Sequence, residues 1–242
     1  MKPIEKIMLD NHLAFLTSHR GIILKSHEFL SINSDQPEFC YGILEPNSKI
    51  ASLPKDLRKV QHFPWCEITI EELNAAGFAA LNGFSYMLLN ENSPEWNITT
   101  DLVIESVSDA ARMDVFSEVQ SRGFIESQAD YEIWHPWLKK ANLRNLNNPN
   151  HFFYIGSEGS KAIGVALTVV DGGTAGIYAV ATLPNYRKKG VSTTIMKKAI
   201  SDAQAIGCNT ITLQVIQDSY VENFYQHLGF KREFTSTMFK RK

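Results

Sequence analysis

The sequence has few cysteines. Its 242 residues include three, Cys40, Cys66 and Cys208, which lie far apart and form no Cys-x-x-Cys pair. An odd number of scattered thiols argues against a disulfide framework and against a zinc site. The sequence therefore predicts a reduced, cytoplasmic protein without a metal.

Long apolar runs and a large excess of one charge are also absent. No run approaches the ~18 residues that cross a bilayer, and the N-terminus MKPIEKIMLD has no signal-peptide core. The net charge is −2, which argues against a dedicated nucleic-acid binder. We therefore expect neither a membrane nor a nucleic-acid partner.

Two familiar glycine-rich phosphate motifs are missing. A P-loop needs the spacing Gly-x-x-x-x-Gly-Lys-Ser/Thr, which occurs nowhere in the chain. A dinucleotide fingerprint needs three glycines, and the turn at 183–192 has one, Gly190. A nucleotide-binding function of either type is therefore disfavoured.

One segment, Gly176–Lys197, does predict an anion site. The apolar run 177–181 has the composition of a buried strand, and Pro184 ends it. Basic residues 187–189 and Gly190 follow, before apolar residues at helical spacing. A strand, a glycine-bearing turn and a helix bring free backbone N–H groups and the positive end of a helix dipole together, which favours a phosphate or pyrophosphate.

The spacing Arg187-x-x-Gly190-x-Ser192 resembles the acyl-CoA loop of the GNAT acetyltransferases, whose pattern is Arg/Gln-x-x-Gly-x-Gly/Ala. Ser192 departs from that pattern. Downstream, Phe224–Phe230 (FYQHLGF) resembles the family's LYxxxGF segment. Two motifs in the family's order make a chance match unlikely, and the resemblance covers roughly residues 102–242.

The resemblance implies a mixed α+β fold, the GNAT acyl-CoA N-acyltransferase fold, with a central, partly parallel sheet flanked by helices. We expect a catalytic domain over 101–242, preceded by a smaller α+β domain over 1–95, with a linker at 90–94. Leu73-x-x-x-Gly77-Phe78 echoes Tyr225-x-x-x-Gly229-Phe230. The first domain is therefore either a degenerate, inactive GNAT-like copy or an unrelated α+β cap.

Local patterns add detail to this outline. They predict a loop over most of 47–64, an N-cap at Ser108 followed by a helix over 109–121, and a helix over 128–142 that Pro136 kinks or ends. A helix over 191–205 is capped at Gly207, and the strand 177–181 is antiparallel to the strand before it.

The resemblance also implies roles for individual residues. The strand 178–182 diverges from its neighbour at 210–215, pantetheine bonds to the backbone of Val180 and Thr182, and the Val180 N–H stabilises the oxyanion. Tyr225 is the general acid. Asp218 stands where the family usually has Asn, so either Asn223 makes that contact or Asp218 points away. The predicted cofactor-binding residues are Val180, Thr182, Arg187, Lys188, Lys189, Gly190, Val191, Ser192, Thr193 and Asn223.

The predicted function is N-acetylation of a primary amine by acetyl-CoA, by direct attack in a ternary complex. The alternative is a non-catalytic acyl-CoA-binding or regulatory module. The general base stays open: Glu126, Glu132 and His135 lie where the family shapes its acceptor pocket, but we expect each at the surface. The acceptor, a small-molecule or peptide amine, stays unidentified, as does the choice between monomer and homodimer.

Overall fold

The computed structural model describes residues 1–26, 29–90, 96 and 101–242, which form six α-helices and eleven strands. The helices are α1 Pro3–His19, α2 Ile70–Ala75, α3 Ala110–Phe124, α4 Gln128–Arg144, α5 Val191–Ala205 and α6 Tyr220–His227. The strands are β1 Ile22–Lys25, β2 Phe29–Asn33, β3 Tyr41–Leu44, β4 Lys59–His62, β5 Phe78–Leu89, β6 Val103–Ser106, β7 His151–Glu158, β8 Lys161–Asp171, β9 Thr174–Thr182, β10 Thr210–Ile216 and β11 Phe230–Arg241.

Contacts divide the chain into two units. The first unit comprises Met1–Asn90 and Gln214–Lys242, and the second comprises Glu91–Leu213. The predicted domains, 1–95 and 101–242, are continuous segments of chain and stay a prediction. Of the predicted linker, 90–94, only residue 90 is among the described residues.

The second unit contains a mixed sheet with strand order β6-β7-β8-β9-β10. β6 through β9 pair antiparallel, as the Asp171–Gly173 hairpin signal predicts for β8 and β9, whereas β9 and β10 are parallel. Helices cover both faces: Phe116 of α3 packs edge-on against Phe153 of β7, with ring centroids 5.1 Å apart, and α5 lies on the opposite face. The expected mixed α+β fold is confirmed.

The first unit contains the order β1-β2-β3-β4-β11-β5, with β3 and β4 parallel and the other neighbours antiparallel. One part of its core is a cluster of buried apolar side chains, which are Phe29, Leu44, Leu53, Val60, Ile68, Leu73, Phe78 and Phe239. A second part is aromatic, with Tyr86 stacked on Phe234 at 4.4 Å and Phe63 stacked on Trp65 at 4.9 Å.

The predicted echo within the chain has a structural counterpart in the first unit. α2 leads through Gly77 (φ 84°) into β5, and α6 leads through Gly229 (φ 88°) into β11. β5 and β11 then pair antiparallel from end to end, with Phe78 opposite Arg241 and Leu89 opposite Phe230. Two similar helix–glycine–strand elements therefore form one pair. This arrangement favours a degenerate internal copy, which stays a prediction.

One of three local predictions was wrong. The N-cap of α3 is Asp109 rather than Ser108, since the Asp109 side chain accepts a hydrogen bond from the N–H of Arg112. The segment 47–64, predicted to be mostly loop, contains one short strand, β4, which pairs with β3 and with the distant β11. Pro136 was predicted to kink or end a helix; α4 continues through it to Arg144, so this proline does not end the helix.

Two findings concern membrane insertion and metal binding, which the sequence disfavoured. In the described ranges, no helix is long and apolar enough to cross a membrane. Nor do the described His, Cys, Asp and Glu side chains form a group of three that could hold a metal ion. All three cysteines are free thiols.

A buried ion pair stabilises the start of α6. Glu222 is 1% exposed and accepts two hydrogen bonds from Arg232, from Nε and from Nη2, each of 2.7 Å. Arg232 Nη2 also donates to Asp218 Oδ1 at 2.7 Å. The hydrogen bonds from Arg232 lower the pKa of Glu222 from 4.5 to about 2. The carboxylate therefore stays ionised in the folded protein.

We expect Glu222→Gln to lower the free energy of unfolding by about 2 kcal/mol, because the half-buried Arg232 loses its charge-assisted hydrogen bonds to the buried carboxylate and keeps only Asp218 as a charged partner. Since the folded pKa is depressed, this stabilisation is present above pH 4.5 and is lost as the pH falls toward about 2. Urea unfolding of both proteins over this range measures it. Glu233→Gln, which removes a charge outside the pair, is the control; equal losses in both variants would contradict the assignment.

Candidate functional site

A β-bulge interrupts β9 at the predicted pantetheine strand. Tyr178 pairs with Leu167 and Ala181 pairs with Val165, so Ala179 and Val180 together oppose one residue of β8. Ala179 has φ 51°, a left-handed conformation that costs a residue with a side chain about 1–2 kcal/mol. A bulge leaves its extra residue out of the ladder. One of the two residues is therefore out of the ladder, and both are half-buried.

The bulge follows directly after the parallel pairing of β9 with β10, which joins Thr174–Ile177 to Thr210–Leu213. A bulge bends the strand that carries it, so β9 changes direction after its parallel pairing with β10. The predicted divergence of 178–182 from 210–215 stays a prediction.

A pair of glycines seats the first turn of α5 on the sheet. Gly156 and Gly164 lie opposite each other on β7 and β8. A Cβ at Gly156 would come within 2.7 Å of Ile195, and a Cβ at Gly164 within 2.5 Å of Val191. Both residues belong to α5, so only glycine lets the helix approach this closely. The start of α5 is thus held rigidly beside the end of β9.

The N-terminus of α5 has no side-chain cap. Gly190 is the N-cap residue, with φ 76°, and no side chain accepts a hydrogen bond there. The first bond within the helix is from Thr194 N to Gly190 O, at 2.9 Å. The N–H groups of Val191, Ser192 and Thr193 therefore have no partner within the helix. Free N–H groups at a helix start suit an anion, and the anion site predicted here stays a prediction.

Lysines surround this turn. Lys188 and Lys189 are exposed, and Lys188 has a left-handed φ of 62°. The Nζ atoms of Lys161 and Lys189 lie 5.1 and 5.2 Å from the centre of the Tyr186 ring. A cavity of about 570 Å³ opens here, lined by Asp101, Leu102, Glu158, Ile163, Tyr186, Lys188, Lys189, Gly190 and Val191. The loop thus presents positive charge beside free backbone donors.

Arg187 has a different position from the one its motif suggests. Its Nη2 donates to the carbonyl of Gly123 at 2.7 Å, and its Nε donates to the carbonyl of Thr182 at 3.3 Å. Gly123 lies in the last turn of α3, where carbonyls lack intrahelical partners and attract cations. Arg187 therefore ties the ends of α3 and β9 together. Its predicted role in holding an anion stays a prediction.

The hydroxyl of Ser192 has a hydrogen-bond partner at the end of β9. Its Oγ lies 2.7 Å from Oγ1 of Thr182, the last residue of β9. Where the family has Gly or Ala, the Ser192 hydroxyl therefore bonds the start of α5 to the end of β9. This bond does not involve the backbone N–H of Ser192. The departure at this position leaves the start of α5 without a side-chain cap.

Tyr225 and Asn223 lie on α6, in the first unit. Tyr225 is 8% exposed, its ring packs against Phe224 and Phe230, and burial raises the pKa of its phenol. Asn223 is exposed. Asp218, with φ 56°, directs its carboxylate to Arg232, so its charge is already paired.

Sequence reasoning missed a cluster between α3 and α4. Glu118 Oε2 accepts a hydrogen bond from the Tyr131 hydroxyl, and Arg122 Nε donates to Glu118 Oε1 at 3.1 Å. His135 joins the cluster, with Nδ1 3.0 Å from Ser121 Oγ. The i, i+4 spacing of Glu118 with Arg122 and of Tyr131 with His135 was a signal that each pair shares a helix face. Only the tertiary structure shows that the two helix faces meet.

The bond between Ser192 and Thr182 can be tested by a double-mutant cycle. We expect Ser192→Ala and Thr182→Val each to lower the free energy of unfolding, with a coupling of about 1 kcal/mol between them, because one hydrogen bond is lost in either variant. Thermal and urea unfolding of the four proteins measure it. Strictly additive losses would show that this bond does not form in solution.

Comparisons with known proteins agree with this geometry. Residues 113–230 match the model of the acetyltransferase (GNAT) family. No curated protein matches the sequence. The structure of a GCN5-related N-acetyltransferase from Kribbella flavida is 12% identical, with a TM-score of 0.73 over 100% of this chain and 96% of that one.

Two further solved structures share the fold. A functionally unknown conserved protein from Staphylococcus epidermidis is 11% identical, with a TM-score of 0.67 over 90% of this chain and 93% of that one. A GCN5-related N-acetyltransferase from Sphaerobacter thermophilus is 13% identical, with a TM-score of 0.55 over 77% of this chain and 60% of that one. The segment 113–230, which carries the bulged strand and the uncapped helix, thus belongs to the acetyltransferase (GNAT) family.

Proposed function

We propose that this protein is an N-acetyltransferase that transfers an acetyl group from acetyl-CoA to a primary amine by direct attack in a ternary complex. The observation that carries the proposal is the bulged end of β9 followed by the uncapped N-terminus of α5. A bulged strand and free helix amides suit an extended ligand that ends in a pyrophosphate. The family match over 113–230 supports acetyl transfer in general.

The loop after β9 holds the cosubstrate in this proposal. The N–H groups of residues 191–193 bind the pyrophosphate, and the dipole of α5 adds to the attraction. Lys188 and Lys189 supply positive charge, and Gly190 allows the phosphate to approach the backbone because it has no Cβ. Pantetheine bonds to the backbone of Val180 and Thr182, alongside the bulge.

The chemical step requires an oxyanion donor and an acid. The Val180 N–H, which the bulge takes out of the ladder, donates to the oxyanion of the tetrahedral intermediate, and a donor of this kind is worth about 3 kcal/mol. Tyr225 protonates the departing thiolate. Because burial raises its pKa, the phenol keeps its proton throughout the neutral range and is a donor there.

Two measurements test the function. We expect acetyl-CoA to raise the melting temperature, and we expect at least one amine of a panel of polyamines, aminoglycosides, amino acids and peptides to support release of free thiol. Thermal shift without thiol release from any amine would favour a non-catalytic acyl-CoA-binding module. The buried, aromatic-packed position of Tyr225 is the feature that agrees with that alternative.

The two loop lysines can be tested by neutralisation. We expect Lys188→Gln with Lys189→Gln to weaken CoA binding about tenfold, about 1.4 kcal/mol, and to flatten its salt dependence, because screened charge attraction is lost. Calorimetric titration at two salt concentrations measures both effects. Lys197→Gln, an exposed lysine further along α5, is the matched control. An unchanged salt dependence in the double variant would remove the lysines from the site.

Tyr225 can be tested by removing only its hydroxyl. We expect Tyr225→Phe to lower kcat about 10²-fold, as loss of a general acid does, while the Kd of CoA stays within about twofold. Thiol-release kinetics and calorimetry separate the two. Tyr220→Phe, an exposed tyrosine on the same helix, is the control. An unchanged rate in Tyr225→Phe would remove this residue from the mechanism.

A further inference from the structure

Three lysine ammonium groups lie around the loop that precedes α5. Lys188 and Lys189 belong to the loop itself and are exposed. Lys161 comes from another part of the chain, the first position of β8. No ion pair involves any of the three in the part of the chain that the structure describes. Their positive charge is therefore not balanced by a described carboxylate.

One aromatic ring attracts two of these ammonium groups. The Nζ atoms of Lys161 and Lys189 lie 5.1 and 5.2 Å from the centre of the Tyr186 ring. The negative face of an aromatic ring attracts cations over such distances, and this attraction offsets the repulsion between the two like charges. Two ammonium groups from separate segments of the chain are thus held near each other.

Lys161 is directed to this ring rather than to its neighbour across the hairpin. Glu158 and Lys161 lie opposite each other at the ends of β7 and β8, where a carboxylate and an ammonium can form an ion pair. The Lys161 ammonium instead lies at Tyr186. The hairpin is fixed beside the loop, because the Leu183 N–H donates to the Ile163 carbonyl at 2.9 Å. Packing of the hairpin on the loop therefore sets the position of Lys161.

The cavity of about 570 Å³ beside the loop has walls of three kinds. They are basic, apolar and acidic, and are formed by Lys188, Lys189, Leu102, Ile163, Glu158 and Asp101. The volume is typical of small-molecule sites, which measure roughly 300–1,000 Å³. A ligand that matches these walls has an anionic group, a flat apolar part and hydrogen-bond donors. An adenosine phosphate has all three, in its phosphate, its base and its hydroxyl and amino groups.

The cavity begins at the start of α5, since Gly190 and Val191 also line it. In the proposed function, the N–H groups of residues 191–193 bind the pyrophosphate of CoA. CoA carries a further phosphate group at the 3′ position of its ribose, and only that ribose separates this group from the pyrophosphate. The 3′-phosphate must therefore lie close to the start of α5, where the cavity and the three lysines are.

The acidic side chains of the cavity also suggest a site for the acceptor amine. The position of the cavity opposes that interpretation. Its lining residues 186 and 188–191 follow the end of β9 at Thr182, whereas the thioester of the proposed complex lies at Val180, within the strand. The cavity therefore adjoins the phosphate end of the cosubstrate and not its acetyl end.

We propose that Lys161, together with Lys189, binds the 3′-phosphate of CoA, with Tyr186 as the positioning residue that holds both ammonium groups; this rests on the proposed function. The phosphate is a strong acceptor for two ammonium donors, and the base and ribose occupy the apolar and acidic parts of the cavity. Lys161 is thus a specificity-determining residue, through which the protein distinguishes CoA from dephospho-CoA, the same molecule without the 3′-phosphate.

Binding of these two ligands tests the assignment. We expect calorimetric titration of the wild-type protein to show about tenfold tighter binding of CoA than of dephospho-CoA. Lys161→Gln reduces this preference to about twofold and leaves the Kd of dephospho-CoA within about twofold of wild type, because only the phosphate contact is lost. Lys161→Arg, which keeps the charge, retains the preference.

A second variant separates the positioning role from direct contact. We expect Tyr186→Leu to reduce the preference for CoA about threefold, because the ring no longer holds the two lysines together, while the Kd of dephospho-CoA stays within about twofold. Lys197→Gln, which removes an exposed lysine further along α5, is the matched control and keeps the full preference.

The outcomes distinguish failure of the inference from failure of the proposed function. Equal affinity of the wild-type protein for CoA and dephospho-CoA overturns the inference alone. A full preference in Lys161→Gln does the same, as does an equal loss of preference in Lys197→Gln, since general charge attraction would then explain it. If the wild-type protein binds neither ligand, the proposed function fails and the inference with it.

Discussion

The two hydrogen bonds of the Arg187 guanidinium hold the end of α3 against the end of β9. They join the Gly123 carbonyl, at the end of α3, to the Thr182 carbonyl, at the end of β9. Because Gly123 has no side chain, α3 can lie against Ala181 at the distance that this bridge requires. The anion loop and the helix that carries Glu118 are therefore fixed relative to one another.

Charge at the site is set by pairing rather than by composition. Residues 1–100 carry 8 Lys/Arg and 12 Asp/Glu, and residues 101–242 carry 16 and 14, so the loop lies in the more basic part of the chain. Within the loop, however, the guanidinium of Arg187 is engaged with carbonyls, which leaves the exposed lysines as the cations for an anion. Likewise, Asp218 pairs with Arg232, so an acidic residue at a position expected to be neutral adds little net charge.

Most predictions that depended on residues close in sequence agree with the structure, whereas contacts between distant residues were not predicted. The spacing of apolar residues predicted a helix over 191–205, which is the observed α5, and the turn at Gly172 and Gly173 predicted the antiparallel β8–β9 pair. β4 was not predicted because it forms by pairing with β3 and with β11, the second of which lies far along the chain. The cluster at Glu118 was missed because each helix carries only half of it.

The sequence by itself determined the strand, the glycine turn and the helix start of Gly176–Lys197, since neighbouring residues encode these local backbone conformations. Tertiary structure alone decided the contacts of the side chains around them. It directs Arg187 to the end of α3, ties Ser192 to Thr182, and brings His135 of one helix beside Glu118 of another. These contacts depend on how helices and strands pack, and the free energy of that packing comes from residues far apart in the chain.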